Sequence, residues 1–202
     1  MEYYQNIITA KSFQILQALK RQYDFILIGG WAVFLYTRTL KSKDIDIIVD
    51  YPALEKLRAD FGLGKNERLK KYEISREEID VDIYLPHYSK LGLPLENIPN
   101  YCQAVDGFKV PKQEVLLILK QVAYADRRGS AKGVKDKIDI ISLLTTADFD
   151  FEFYKDILDQ YNLKIFAPAL KDLVRSVTQV PELGLNQYQY AKLKKTVLAS
   201  IK

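Results

Sequence analysis

Two rhythms of apolar and polar positions run along this chain of 202 residues, and they change hands near its middle. Ile8, Phe13, Ile15, Leu16 and Leu19 recur at helical spacing and predict a helix over Gln5 to Arg21. The unbroken run Phe25 to Ile28 predicts a short buried strand. Gly29-Gly30 then punctuates it as a turn, and Trp31 to Arg38 reads as a short buried helix with Trp31 in the core. Ile45 to Val49 predicts a second strand. Pro52 suits the first turn of a helix reaching Phe61, with Gly62 and Gly64 ending it. Glu67 to Ile74 is expected as a third strand, and Ile79 to Leu85, which alternates, as a stronger fourth. Pro86 to Pro99 reads as loop. Cys102 to Val105 and Phe108 to Val110 flank Asp106-Gly107, a pattern for a β-hairpin.

After Pro111 the rhythm is helical throughout. Helices are expected over Lys112 to Asp126, Asp136 to Leu144, Phe151 to Gln160, Phe166 to Val177 and Gln187 to Ile201, with a break at Pro181 to Gly184. The chain is therefore expected to be α+β: a small mixed sheet in residues 1–110, followed by a helical half in residues 111–202. No internal repeat or low-complexity tract is visible.

The polar positions inside the apolar runs carry the chemistry. Asp44 and Asp46 bracket Ile45 at the start of the second strand, and Asp80 and Asp82 alternate with Ile79, Val81 and Ile83 in the fourth. Alternation sends acids to one face and aliphatic residues to the other. Two carboxylates side by side repel each other, and a divalent cation relieves that repulsion. A glycine turn beside such a pair suggests a backbone that approaches a phosphate.

Composition narrows the chemistry further. Cys102 is the only cysteine and His87 the only histidine, so an internal disulfide, a zinc site built on them and a Ser-His-Asp triad are all poor fits. His87 lies in a stretch read as loop and is expected at the surface. The net charge is +4, with basic clusters at Lys65 to Lys71, Arg127 to Lys137 and Lys192 to Lys202. Each cluster most simply makes a solvated helix face, although a mildly basic protein also tolerates polyanions. The longest apolar run is too short to span a bilayer, and residues 1–6 show no signal-peptide pattern, so no membrane association and a cytoplasmic location are expected.

A hydrophobic strand, Gly29-Gly30, a short helix, then Asp44-Ile45-Asp46 and a later acid-bearing strand together resemble the nucleotidyltransferase superfamily that includes DNA polymerase β. The resemblance covers Ile26 to Leu144. It implies a metal-dependent transfer of a nucleoside monophosphate from a nucleoside triphosphate to an acceptor hydroxyl, with release of pyrophosphate. It also implies two Mg²⁺ ions, replaceable by Mn²⁺, on Asp44, Asp46 and Asp82 as catalytic and metal-binding residues. Asp82 fits the third-acid position best, and Asp80 competes with it. Gly29, Gly30, Ser42, Lys43 and Lys120 would contact the nucleotide, and the helical half would pack over the cleft.

A second constellation is similar to abortive-infection toxin nucleotidyltransferases: an apolar helix with embedded Lys120, then Arg127 or Arg128, then Lys135-Asp136-Lys137-Ile138-Asp139. Lys120 either reaches a phosphate or pairs with Asp136 or Asp139, acids that share one helix face with each other. That likeness implies an antitoxin partner, with Arg127, Asp136 and Asp139 as supporting residues. One departure stands out. Relatives carry Arg-x-Thr-x-Asp before the first acid, whereas this chain has Leu40-Lys41-Ser42-Lys43-Asp44, which leaves the metal site intact and changes the triphosphate contacts. The acceptor is open between RNA, protein and a small molecule, with RNA or protein favoured by the basic helical half. The rival readings are a silent nucleotide- or RNA-binding module of the same fold and a two-metal nuclease.

Overall fold

The computed structural model describes residues 2–76 and 78–201. The chain divides into two compact units, Met1–Leu35 with Lys41–Lys112, and Tyr36–Leu40 with Gln113–Lys202.

The first unit begins with α1 (Glu2–Gln22), followed by β1 (Ile26–Ile28), α2 (Gly29–Thr37), β2 (Ile45–Ile48), α3 (Tyr51–Phe61), β3 (Gly64–Asn66), β4 (Lys71–Arg76) and β5 (Ile79–Tyr84). A 3₁₀ segment, Leu95–Tyr101, leads to a hairpin of β6 (Cys102–Val105) and β7 (Phe108–Pro111). The main sheet runs β1-β2-β5-β4-β3. Only β2 and β5 pair in parallel; the other neighbours are antiparallel. The parallel pair requires a crossover, which α3, β3 and β4 supply.

One sheet face is sealed by Ile45, Ile47, Ile74, Ile79, Val81 and Ile83, all buried. Alternation then leaves Asp46, Asp82 and Glu73 on the other face. Leu16 and Leu19 of α1 and Leu54 and Leu57 of α3 are buried as well. Trp31 is core: its ring lies 5.0 Å from that of Phe13, and its Nε1 donates to the buried Ser12 Oγ at 2.9 Å. An indole buried to this extent needs such a partner for its N–H. Helix α3 starts where Asp50 accepts from the Ala53 amide at 2.8 Å and Pro52 fills the first turn, and the Gly62 N–H closes its end on the Arg58 carbonyl.

The second unit is helical: α4 (Gln113–Arg127), α5 (Ala131–Leu143), α6 (Phe151–Gln160), α7 (Phe166–Ser176) and α8 (Gln187–Ser200), with a 3₁₀ turn at Pro181–Leu183. Its centre is α4, in which every residue from Gln113 to Gln121 is buried. A helix stretch buried on every side must be enclosed, and α4 touches α5, α6 and α7. Its buried polar groups are satisfied. Glu114 accepts from the Asp150 amide at 2.8 Å. Gln121 donates to the Phe166 carbonyl and accepts from the Tyr154 hydroxyl, both at 2.8 Å. Among the described residues no helix is long and apolar enough to cross a membrane.

Four expectations change. The strand expected over Glu67 to Ile74 is instead two strands around a turn at residues 67–70, with Lys70 at φ 50°. Gly64 opens β3 rather than ending α3. An edge strand of Gly-Lys-Asn carries no apolar rhythm to reveal it. Helix α5 begins five residues before Asp136, because Ser130 Oγ caps the Gly133 amide at 3.0 Å. Finally, the turn expected at Gly29-Gly30 is compressed to Gly29, at φ +67°, and α2 follows β1 without a separate loop.

Candidate active site

The site grows from the junction of β1 with α2. Ile28 stands opposite Asp46 across the β1–β2 ladder, so the next residue, Gly29, is pressed against the Asp46 carboxylate. A Cβ on Gly29 would lie 2.0 Å from Asp46 Oδ2, and φ there is +67°. Only glycine meets both conditions. The close approach that the double glycine serves in this structure is to a carboxylate, set at the start of α2 where unpaired amides favour negative charge.

Parallel pairing places Asp46 directly opposite Asp82, and antiparallel pairing places Asp82 opposite Glu73. Three carboxylates thus occupy one row over three neighbouring strands. The Tyr84 hydroxyl donates to Asp46 Oδ1 at 3.4 Å. Lys71, on the same face of β4, lies 2.6 Å from Asp82 Oδ2 and 3.0 Å from Glu73 Oε1. Asn66 Nδ2 donates to the same Glu73 oxygen at 3.0 Å. Burial, reinforced by the Asp46 charge, pushes the Asp82 carboxyl up to about 6 despite the pull of Lys71. Burial alone would lower Lys71, but its hydrogen bonds to Asp82 and Glu73 outweigh that and hold it above the ordinary lysine value.

Asp44 lies in a bend just before β2, half-buried, and not on the strand as expected from its spacing. Ser42 is buried and Lys43 exposed in the same connection. Asp80 is exposed and accepts from Ser75 Oγ at 2.8 Å, away from the row. His87 is exposed, as expected, and lies 3.4 Å from Glu96.

Within the second unit, Lys120 Nζ sits 3.2 Å from Asp136 Oδ1 and 2.7 Å from Asp139 Oδ2. Arg127 grips both oxygens of Asp136, at 2.5 and 2.9 Å. The Lys120 ammonium is thus the cation that faces the buried Asp139 carboxylate. Burial raises the Asp139 pKa against that pull.

Carboxylate oxygens suit a hard divalent ion such as Mg²⁺ or Mn²⁺. Burial and then the Asp46 charge lift Asp82, and a divalent ion would relieve the second of these, so Asp44, Asp46 and Asp82 fit that role chemically. Among the described residues no three acidic, histidine or cysteine side chains already converge at metal-holding distance; Asp82 is engaged by Lys71. Sequence reading missed Glu73, Lys71, Asn66 and Tyr84. Lys71 and Glu73 keep i, i+2 spacing along β4, Tyr84 follows Asp82 on β5 and Asn66 ends β3, but only the strand register shows what they face.

Compared by sequence, the chain matches no protein-family profile and no curated protein. Compared by structure, its fold is similar to that of solved nucleotidyltransferase-like proteins. The aminoglycoside enzyme ANT(2″)-Ia, solved with adenylyl-2″-tobramycin, superimposes with a TM-score of 0.55 and 16% identity over 78% of this chain and 98% of that one. JHP933 from Helicobacter pylori gives 0.53 and 15% over 96% and 91%. A further H. pylori structure, described as a candidate nucleotidyltransferase, gives 0.53 and 14% over 98% and 95%.

Proposed function

We propose that this chain is a metal-dependent nucleotidyltransferase that moves a nucleoside monophosphate from a nucleoside triphosphate to an acceptor hydroxyl, releasing pyrophosphate. The observation that carries the reading is the register of Asp46 with Asp82 beside the Gly29 junction, within a nucleotidyltransferase fold. Asp44 and Asp46 would hold Mg²⁺ on the triphosphate side, and Asp82 would serve the acceptor side. Bound there, the metal supplies charge neutralisation for the phosphates and a lowered pKa for the acceptor hydroxyl. The amides of Gly29 and Gly30 at the start of α2 would receive phosphate oxygens, with Ser42 and Lys43 in the neighbouring connection. Asp80, occupied by Ser75, is the weaker candidate for the third acid.

For Lys120, the ion pairs with Asp136 and Asp139 favour anchoring over a triphosphate contact, with Arg127 supporting the same network. The basic segments of the helical half favour RNA or protein as acceptor. The aminoglycoside product in the ANT(2″)-Ia structure motivates a small-molecule arm in the test. The test offers each α-labelled triphosphate with Mg²⁺ to RNA, to cell-extract protein and to an aminoglycoside. The reading expects label on one acceptor class and none with Asp46→Asn. Shortened RNA without label would replace it with the nuclease reading. Nucleotide binding without transfer to any acceptor would replace it with the silent binding module.

A further inference from the structure

One charged side chain of the candidate site has no task in the transfer reaction as written. Lys71 is buried, and its ammonium is held by Asp82 Oδ2 at 2.6 Å and Glu73 Oε1 at 3.0 Å. The Glu73 oxygen is itself fixed by Asn66 Nδ2, so Lys71 meets an acceptor that is already oriented. A lysine drawn out of water remains charged there only because both carboxylates face it. A surface ion pair has neither the burial nor the second anchor.

The row around it has an uneven charge. Asp46, Asp82 and Glu73 are consecutive cross-strand partners, and Lys71 is the cation set among them. We propose that Lys71 is a resident cation of the site, holding Asp82 and Glu73 in the place of a second divalent ion, so that the chain takes up one divalent ion, on the Asp44–Asp46 side. This rests on the reading of the site as a metal-dependent transferase centre. It makes Lys71 a positioning residue. Asp82 is kept in its orientation before any ion arrives, and the acceptor-side charge is supplied by the polypeptide.

The test counts ions without using activity. Mn²⁺ is titrated against the full chain at pH 7.5, and bound ion is read from the loss of the free Mn²⁺ paramagnetic resonance signal, for wild type, Lys71→Met, Lys71→Arg and Asp46→Asn. Methionine keeps the apolar stem and removes the charge. The expected result is one ion for wild type and for Lys71→Arg, a second ion for Lys71→Met, and at least a tenfold weaker first ion for Asp46→Asn. Thermal melts in a chelator add a second readout: Lys71→Met melts lower than wild type, and Mn²⁺ restores it. Two ions in wild type, or equal counts and affinities in wild type and Lys71→Met, would overturn the proposal while leaving the transferase reading intact. Absence of Mn²⁺ binding to wild type would overturn both. Should Lys71→Met fail to fold, the wild-type count alone decides.

Discussion

Two lysines in this chain are each clamped between two carboxylates, and the clamps are built to different ends. Lys71 holds Asp82 and Glu73 at 2.6 and 3.0 Å, with side chains 11%, 14% and 31% exposed. Lys120 holds Asp139 and Asp136 at 2.7 and 3.2 Å, with side chains 9%, 0% and 1% exposed. In the second clamp Arg127 adds a further cation on Asp136, and the Lys135 charge also pulls on Asp139. In the first, Asp46 adds a further carboxylate, so the cation is outnumbered. The Lys120 network joins α4 to α5, and in it the cations at least match the carboxylates. A half-open, unbalanced one keeps an unmet demand for positive charge, which is the condition for recruiting a metal or a cationic group.

The largest effect that would break this contrast is on catalysis. Asp46→Asn should lower transfer by about 10³-fold or more, in keeping with the several kcal/mol that a metal supplies to a phosphoryl transition state. Its melting point in a chelator should stay at or above that of wild type, because one repelling charge has gone. Transfer kinetics and a melt on the same preparation check both halves. Lys120→Met should do the reverse. Breaking a buried pair costs about 3–5 kcal/mol of stability, read by denaturant titration, and leaves nucleotide affinity per folded molecule unchanged. A double-mutant cycle with Asp139→Asn should give a coupling of about 0.5–3 kcal/mol. Loss of nucleotide affinity at unchanged stability would return Lys120 to the triphosphate.

Gly29→Ala sharpens the first region. The added Cβ must displace the Asp46 carboxylate, so stability should fall by about 1–3 kcal/mol and transfer should fall with it. A stable, active Gly29→Ala chain would contradict the close approach. The smallest effect expected is at Asp80. Asp80→Asn should change transfer by less than about threefold, as a surface substitution does, whereas Asp82→Asn should cost much more. The reverse order, measured in parallel assays, would move the third acid to Asp80.

Legibility followed how local each signal was. The run Phe25 to Ile28, the double glycine, and the alternations around Ile45 and Val81 announced β1, β2 and β5, because a buried strand is written in consecutive residues. The helices of the second unit were legible for the same reason, apart from the start of α5. There Ala131 to Lys135 lacks apolar rhythm and the cap is set by Ser130. Close packing hides in that stretch too: a Cβ on Gly133 would lie 2.4 Å from the Arg127 carbonyl, a contact no spacing reveals. Asp46 and Asp82 were legible as candidates through motif resemblance. Glu73 and Lys71 were not, because their membership of the site depends on the β4–β5 register and on a turn at residues 67–70 that the sequence disguises as strand. The two possible roles of Lys120 could be stated from sequence, but the ion pairs that favour anchoring are a tertiary property.

The central claim is that the unbalanced carboxylate row transfers a nucleotide, and one measurement meets it most directly. Wild-type chain and Asp46→Asn are incubated with each of the four α-labelled nucleoside triphosphates, Mg²⁺ and a cell extract, and both labelled acceptor and released pyrophosphate are quantified. The account predicts Mg²⁺-dependent label on an acceptor with an equal amount of pyrophosphate for the wild type, and neither for Asp46→Asn. Wild-type chain that labels no acceptor with any triphosphate, or label that persists unchanged in Asp46→Asn, would contradict it.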